Sequence, residues 1–216
     1  VFAFVSCSGS SDTETSNGGS DVAESGRHPV VVLLMDGVRT DQLGSYGATQ
    51  SSTPNLDEFA SGAIRFDWAF AQAPDAAASM ASFLTGLYPT THGLVETGDR
   101  LVDEAATLAE VLTGVGLETA AFLTTGEALD GRGMDQGFAL VESGPQALES
   151  ALQWIEQNSS TDFFLVVEAG FVDASAVDVE SAAESYSAQV EALDSSAGRV
   201  LQALEGAGLT DKATIA

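Results

Sequence analysis

One cysteine, one lysine and no apolar run long enough to cross a bilayer set the first limits on this chain. Cys7 is the only cysteine among 216 residues, which excludes an intrachain disulfide and a Cys-rich metal site. Lys212 is the only lysine, and the 7 bases face 32 acids, for a formal charge of -25. A surface so short of positive charge repels nucleic acid and anionic lipid, and it does not steer an anionic substrate inward. It reads as a solvated acidic coat suited to salty surroundings, where screening shortens the repulsion. No segment approaches the ~20 apolar residues of a spanning helix.

What is present suffices for one core, since a chain of 216 residues buries roughly 70% of its unfolded surface. Three parts follow from composition. Residues 1–7 are mostly apolar and end in Ser6-Cys7, residues 8–27 are a polar, acidic stretch of Ser, Gly, Asp, Glu and Thr, and residues 28–216 carry the periodic pattern. The middle part is too poor in apolar side chains to pack and reads as a flexible tether.

Within 28–216, Pro29 to Met35 is a continuous apolar run, the mark of a strand buried on both faces of a parallel sheet. It ends at Asp36-Gly37. Open α/β sheets place their sites at the carboxyl ends of strands, so Asp36 is the best candidate ligand. Thr53-Pro54-Asn55-Leu56-Asp57 opens a helix with a capping hydroxyl, a proline at the first position and acids in the first turn, and Gly62 closes it. Ala76 to Thr85 is a second helix, with Asp75 as its cap and Gly86 as its stop. Leu108 to Leu112 predicts a helix, Thr119 to Leu123 a strand, Gln146 to Gln157 a helix, Phe163 to Glu168 a strand, and Tyr186 to Leu209 an amphipathic helix. Alternating helix and strand predicts an α/β fold, a mainly parallel sheet sandwiched between helices. Because the pattern stops at Ala216 inside a further apolar run, the sheet is expected to have an unpaired place.

Three motifs carry a family resemblance. Asp36-Gly37-Val38-Arg39-Thr40-Asp41-Gln42-Leu43-Gly44-Ser45-Tyr46-Gly47 is similar to the sulfatase opening Asp-Asp-x-Arg-x-Asp-x-Leu-Gly-x-Tyr-Gly. Thr53 to Gly62 resembles the family's Thr-Pro-Asn-Leu-Asp-x-Leu-Ala-x-x-Gly. Pro74 to Gly93 resembles the signature around the nucleophile, matching through Ala81, Ser82, Thr85, Gly86, Tyr88, Pro89, His92 and Gly93. The chain is thus identified as a member of the sulfatase family, within the alkaline phosphatase superfamily. The resemblance covers the amino-terminal part of a catalytic domain that is truncated at its carboxyl end. Residues 1–7 in turn resemble the end of a bacterial lipoprotein signal, with Cys7 as the lipidated residue. That implies an exported, cell-envelope protein, periplasmic or at the cell surface, that meets a membrane only through a lipid anchor.

The same resemblance implies a sulfuric ester hydrolase acting on a sulfate ester or carbohydrate, with a divalent cation, calcium by family habit, and a nucleophile made by oxidising Cys or Ser. Position by position, the nucleophile falls on Ala76, the proline after it on Ala78, and the partner arginine on Met80. Asp36 matches the first metal-binding Asp, while Gly37 replaces the second. The Lys and His that contact sulfate after the Thr119 strand are absent, and Glu168 stands where a further substrate-contacting His falls. An alanine methyl can be neither oxidised nor deprotonated, and losing a nucleophile costs on the order of 10⁶ in turnover. Asp75 and Ser79 are the candidate displaced nucleophiles, read otherwise as the helix cap and a small packing residue; Arg39 and Arg65 are the bases expected near the site, read otherwise as members of structural ion pairs; His92 is a structural hydrogen-bonding residue, and His28 a residue at the foot of the first strand. Three functions stay open: an impaired sulfatase, a non-catalytic surface-anchored binding or scaffold lipoprotein, and a phosphodiesterase-like hydrolase of the same superfamily.

Overall fold

The structure is a computed structural model that describes residues 4–7, 28–49, 52–96, 98–125, 129, 131–172 and 179–216. The tether read over 8–27 lies outside the described residues. The first apolar run forms β2 (Val30–Asp36), which follows a short β1 (Phe4–Cys7). In order after it come α1 (Pro54–Ser61), β3 (Ile64–Arg65), α2 (Ala76–Thr85), α3 (Pro89–His92), α4 (Leu108–Gly114), β4 (Glu118–Leu123) and β5 (Leu140–Ser143). The chain continues through α5 (Ala147–Gln157), β6 (Phe163–Phe171), α6 (Val179–Gly206) and β7 (Thr214–Ile215).

The sheet has the order β3-β1-β7-β2-β6-β4-β5, with β7, β2, β6, β4 and β5 mutually parallel. Its central strands are apolar on both faces because both are covered, and the two-residue period sorts the side chains between the layers. Val31, Leu33, Phe122, Leu165 and Val167 face Ala151 and Ile155 of α5 and Val200 and Leu204 of α6. Val32, Ala121, Leu123, Phe164 and Val166 face Ala77, Ala78, Ala81 and Leu84 of α2 and Ala109 of α4. The expected α/β sandwich is what forms.

Two local expectations are corrected. The edge of β7 is not open: β1 pairs with it antiparallel, Ser6 opposite Ile215 and Cys7 opposite Thr214. A free row of N–H and C=O groups is a template for any available strand, and Phe4 to Cys7 takes it. Thr53 is the N-cap residue of α1, but its side chain makes no cap bond. The cap comes instead from Asp194 on α6, whose carboxylate accepts the N–H of Asn55 (3.2 Å) and of Leu56 (2.9 Å) as well as the Asn55 amide (2.7 Å). Gly198, one turn further along α6, leaves room for this docking: a Cβ there would lie 2.5 Å from Asn55 Cγ.

Candidate functional site

Parallel strands bring their carboxyl ends to one edge, and the site candidates collect there. Asp36 closes β2 and is exposed. Thr124 and Thr125 follow β4, and Glu168 lies near the end of β6. Pairing of β2 with β6 slips there, Leu34 opposite Glu168 but Met35 opposite Gly170, so Ala169 is a bulge that re-aims the strand end beside Asp36. These residues and the first turns of α2 line an open cleft of about 860 Å³, with Asp36, Asp75, Ala76, Ser79, Met80, Thr124, Thr125, Arg132 and Glu168 around it.

Helix α2 starts at the cleft. Asp75 caps it, its carboxylate accepting the Ala78 N–H at 2.9 Å, so this candidate nucleophile is committed to the helix. Ala76 is the first helical residue and shows a bare methyl to the cleft. Ala78 is fully buried and Met80 nearly so, both packed in the core between sheet and helix. Ser79 reaches the cleft, but among the described residues no histidine lines it to take a proton from the hydroxyl.

Glu168 is only 6% exposed and is held by Thr125, whose N–H donates at 2.9 Å and whose hydroxyl donates at 2.9 and 3.0 Å. Those bonds solvate the carboxyl in place of water. A hard divalent cation needs about six oxygens, several of them carboxylate. Among the described residues no three Asp, Glu, His or Cys side chains converge into such a donor set.

The two arginines expected near the site make structural ion pairs instead of facing the cleft. Arg39 and Arg65 do not line the cleft: Arg39 pairs with Asp41, and Arg65 pairs with Asp67 at 2.8 Å and lies 5.2 Å above the Tyr46 ring. The base that does line it is Arg132, which the motif comparison missed. Its loop is pinned on both sides. Leu129 and Met134 are buried, the Leu101 N–H donates to the Arg132 carbonyl at 2.9 Å, and Thr113 and Thr119 donate to the Gly137 carbonyl at 2.8 and 2.7 Å. Gly137 has φ +83°, and a Cβ there would meet the Glu110 nitrogen at 2.2 Å, so only glycine lets the loop lie against α4. Two buried apolar anchors flanking Gly131-Arg132-Gly133 were the legible signal.

His92 is the structural residue expected of it. It is fully buried and clamps α3 to α2: Nδ1 accepts the Leu94 N–H at 3.1 Å, so Nε2 carries the proton and donates to Ser82 Oγ at 3.0 Å. Burial holds its pKa below the ordinary imidazole value, against smaller opposing effects of backbone bonds. His28 is exposed at the foot of β2, its N–H bonded to Asp162 at 3.0 Å.

Comparison with known proteins agrees with this fold. The solved structures similar in fold include a phosphonate monoester hydrolase of Agrobacterium radiobacter, with a TM-score of 0.73 and 15% identity over 88% of this chain and 61% of that one. Another is Ps i-CgsB in complex with k-i-k-neocarrahexaose, with a TM-score of 0.72 and 17% identity over 88% of this chain and 57% of that one. In sequence, an arylsulfatase of Clostridium perfringens is 39% identical over 66 residues, which are 31% of this chain and 14% of that protein. Human iduronate 2-sulfatase is 40% identical over 67 residues, 31% of this chain and 12% of that protein. The chain thus spans well under two thirds of the proteins it matches. The family model for sulfatases matches residues 28–216, all of the periodic part, and the chain belongs to the sulfatase family.

Proposed function

We propose that this chain recognises sulfate esters, carried on carbohydrate, without hydrolysing them by the family's route. The carrying observation is the methyl of Ala76 facing the cleft at the start of α2, where the resemblance places the bond-forming atom. Among the described residues around it, Met80 is core, Asp75 is a cap, and no imidazole lines the cleft beside Ser79. Sulfatases generally use a divalent cation. Asp36 is the ligand this chain offers in a matching position, and no step is routed through an ion the described residues do not fit. The cleft, with the aromatic rim of Phe70, Phe83 and Tyr88 next to it, retains the shape of a sugar-binding surface. We place the protein in the cell envelope, exported and anchored through Cys7. Lipid attachment at that residue would remove Phe4 to Ser6 from β1, and the mass of the native protein tests it.

The function is tested on the full-length protein. Calorimetry with a sulfated oligosaccharide and its desulfated counterpart is expected to show binding of the sulfated form alone. Turnover of an aryl sulfate and an aryl phosphate with calcium, manganese or zinc is expected at background, in Ala76→Ser and Ala76→Cys as in the native protein, since no partner arginine accompanies the new nucleophile. Metal-dependent turnover by the native protein, lost on Asp36→Ala, would refute this reading in favour of an active hydrolase.

A further inference from the structure

The Lys and His that would neutralise a sulfate group after β4 are missing, yet the cleft is not without positive charge. Two polar atoms in its wall, Arg132 Nη1 and Thr124 Oγ1, are buried and have no hydrogen-bond partner. Arg132 is in no ion pair among the described residues, although its charge is felt nearby as one of the smaller effects that lower the Asp99 pKa. Buried donors left unpaired are rare because each forfeits its hydration, and a guanidinium forfeits more than a neutral group. Arginine cannot relieve this by losing its proton. Leu129 and Met134, buried in the core to either side, anchor the backbone that carries it.

We infer that Arg132 and Thr124 form an oxyanion-binding pair that replaces the missing basic residues, taking a tetrahedral anion such as the sulfate group of a sulfate ester. A guanidinium fork matches the edge of such an anion with parallel N–H bonds, and a hydroxyl in the wall of the same cleft can donate to a further oxygen. Among the described residues the nearby acids are engaged elsewhere or stand apart: Asp99 accepts the Val95 and Glu96 N–H groups, Glu168 is tied to Thr125 and Asp75 to the Ala78 N–H, while Asp36 stands exposed at the end of β2. The pair sits after β4, but Arg132 comes from beyond the strand-following residues where the family motif would be sought.

This inference rests on the proposed reading of the same cleft, and the experiment separates the two. Inorganic sulfate, inorganic phosphate and a sulfated oligosaccharide are titrated into the full-length protein at fixed ionic strength. The variants are Arg132→Met, Arg132→Lys and Thr124→Val, with Arg199→Met, whose partner Glu149 lies on α5, as the remote control. Arg132→Met is expected to weaken sulfate binding about 10- to 100-fold, Arg132→Lys and Thr124→Val by less, and the control not at all. Stronger binding of phosphate than sulfate would keep the pair and change its ligand. Sulfated sugar bound equally by native protein and a folded Arg132→Met overturns the pair but leaves the proposed function standing. Sulfate binding lost in Arg132→Met with no sugar bound by either does the reverse. Should Arg132→Met fail to fold, native-like sulfate affinity in both Arg132→Lys and Thr124→Val overturns the pair, as does absence of saturable sulfate or phosphate binding by the native protein.

Discussion

Replacing Asp194 tests whether the start of α1 is held from across the molecule. The carboxylate is 2% exposed and accepts three hydrogen bonds, two of them from first-turn N–H groups of α1 that have no partner within their own helix. Among the described residues no cation pairs with it, so the N-terminal dipole of α1 is its counter-charge. Capping alone is worth ~0.5–2 kcal/mol, and a buried donor left unpaired costs ~1–3 kcal/mol. Alanine orphans three donors, some of which water can reach, and improves helix propensity in α6 by a few tenths, so the net loss is about 3 kcal/mol. For a domain of this size that lowers Tm by roughly 6–12 °C. Asp194→Asn keeps the shape and one acceptor, and is expected to lose about half as much. Urea unfolding followed through Trp154, which packs 5.0 Å from Phe163 in the core, gives both values. A loss under ~1 kcal/mol for Asp194→Ala, or equal losses for Ala and Asn, would refute the claim that α1 is capped from α6.

Two further perturbations have definite signs. His92 is buried with its pKa depressed below 6.5, so the unfolded chain takes up the proton first; its contribution is complete above pH 6.5 and is lost as pH falls below it, by at most ~1.4 kcal/mol per pH unit. Urea midpoints between pH 7.5 and 5.5 check this, and a slope unchanged in His92→Gln would exclude His92 as its source. Gly137→Ala drives a methyl into the backbone of α4 at a residue with positive φ and is expected to cost about 3 kcal/mol or more, and with it the seating of Arg132. A Gly137→Ala protein with native stability and native sulfate affinity would show that the loop is not held as described.

Features encoded within a few residues of one another were legible without coordinates. The apolar runs of β2, β4 and β6 gave covered parallel strands, and Asp75 with Gly86 bounded α2 at both ends because caps act over three or four residues. Identity at one position was legible too: Ala76 is a methyl wherever the chain puts it. Distance decided the rest. Asp194 caps a helix 139 residues away, β1 closes an edge formed at the other end of the chain, and Arg132 reaches the cleft only because its loop is nailed to α4 and β4. Sequence alone settled the layers and the identity of Ala76 at the start of α2, since hydrophobic period and side-chain chemistry are local. Only the tertiary structure decided which charge faces the cleft, because burial and unpaired donors exist only once distant segments have packed.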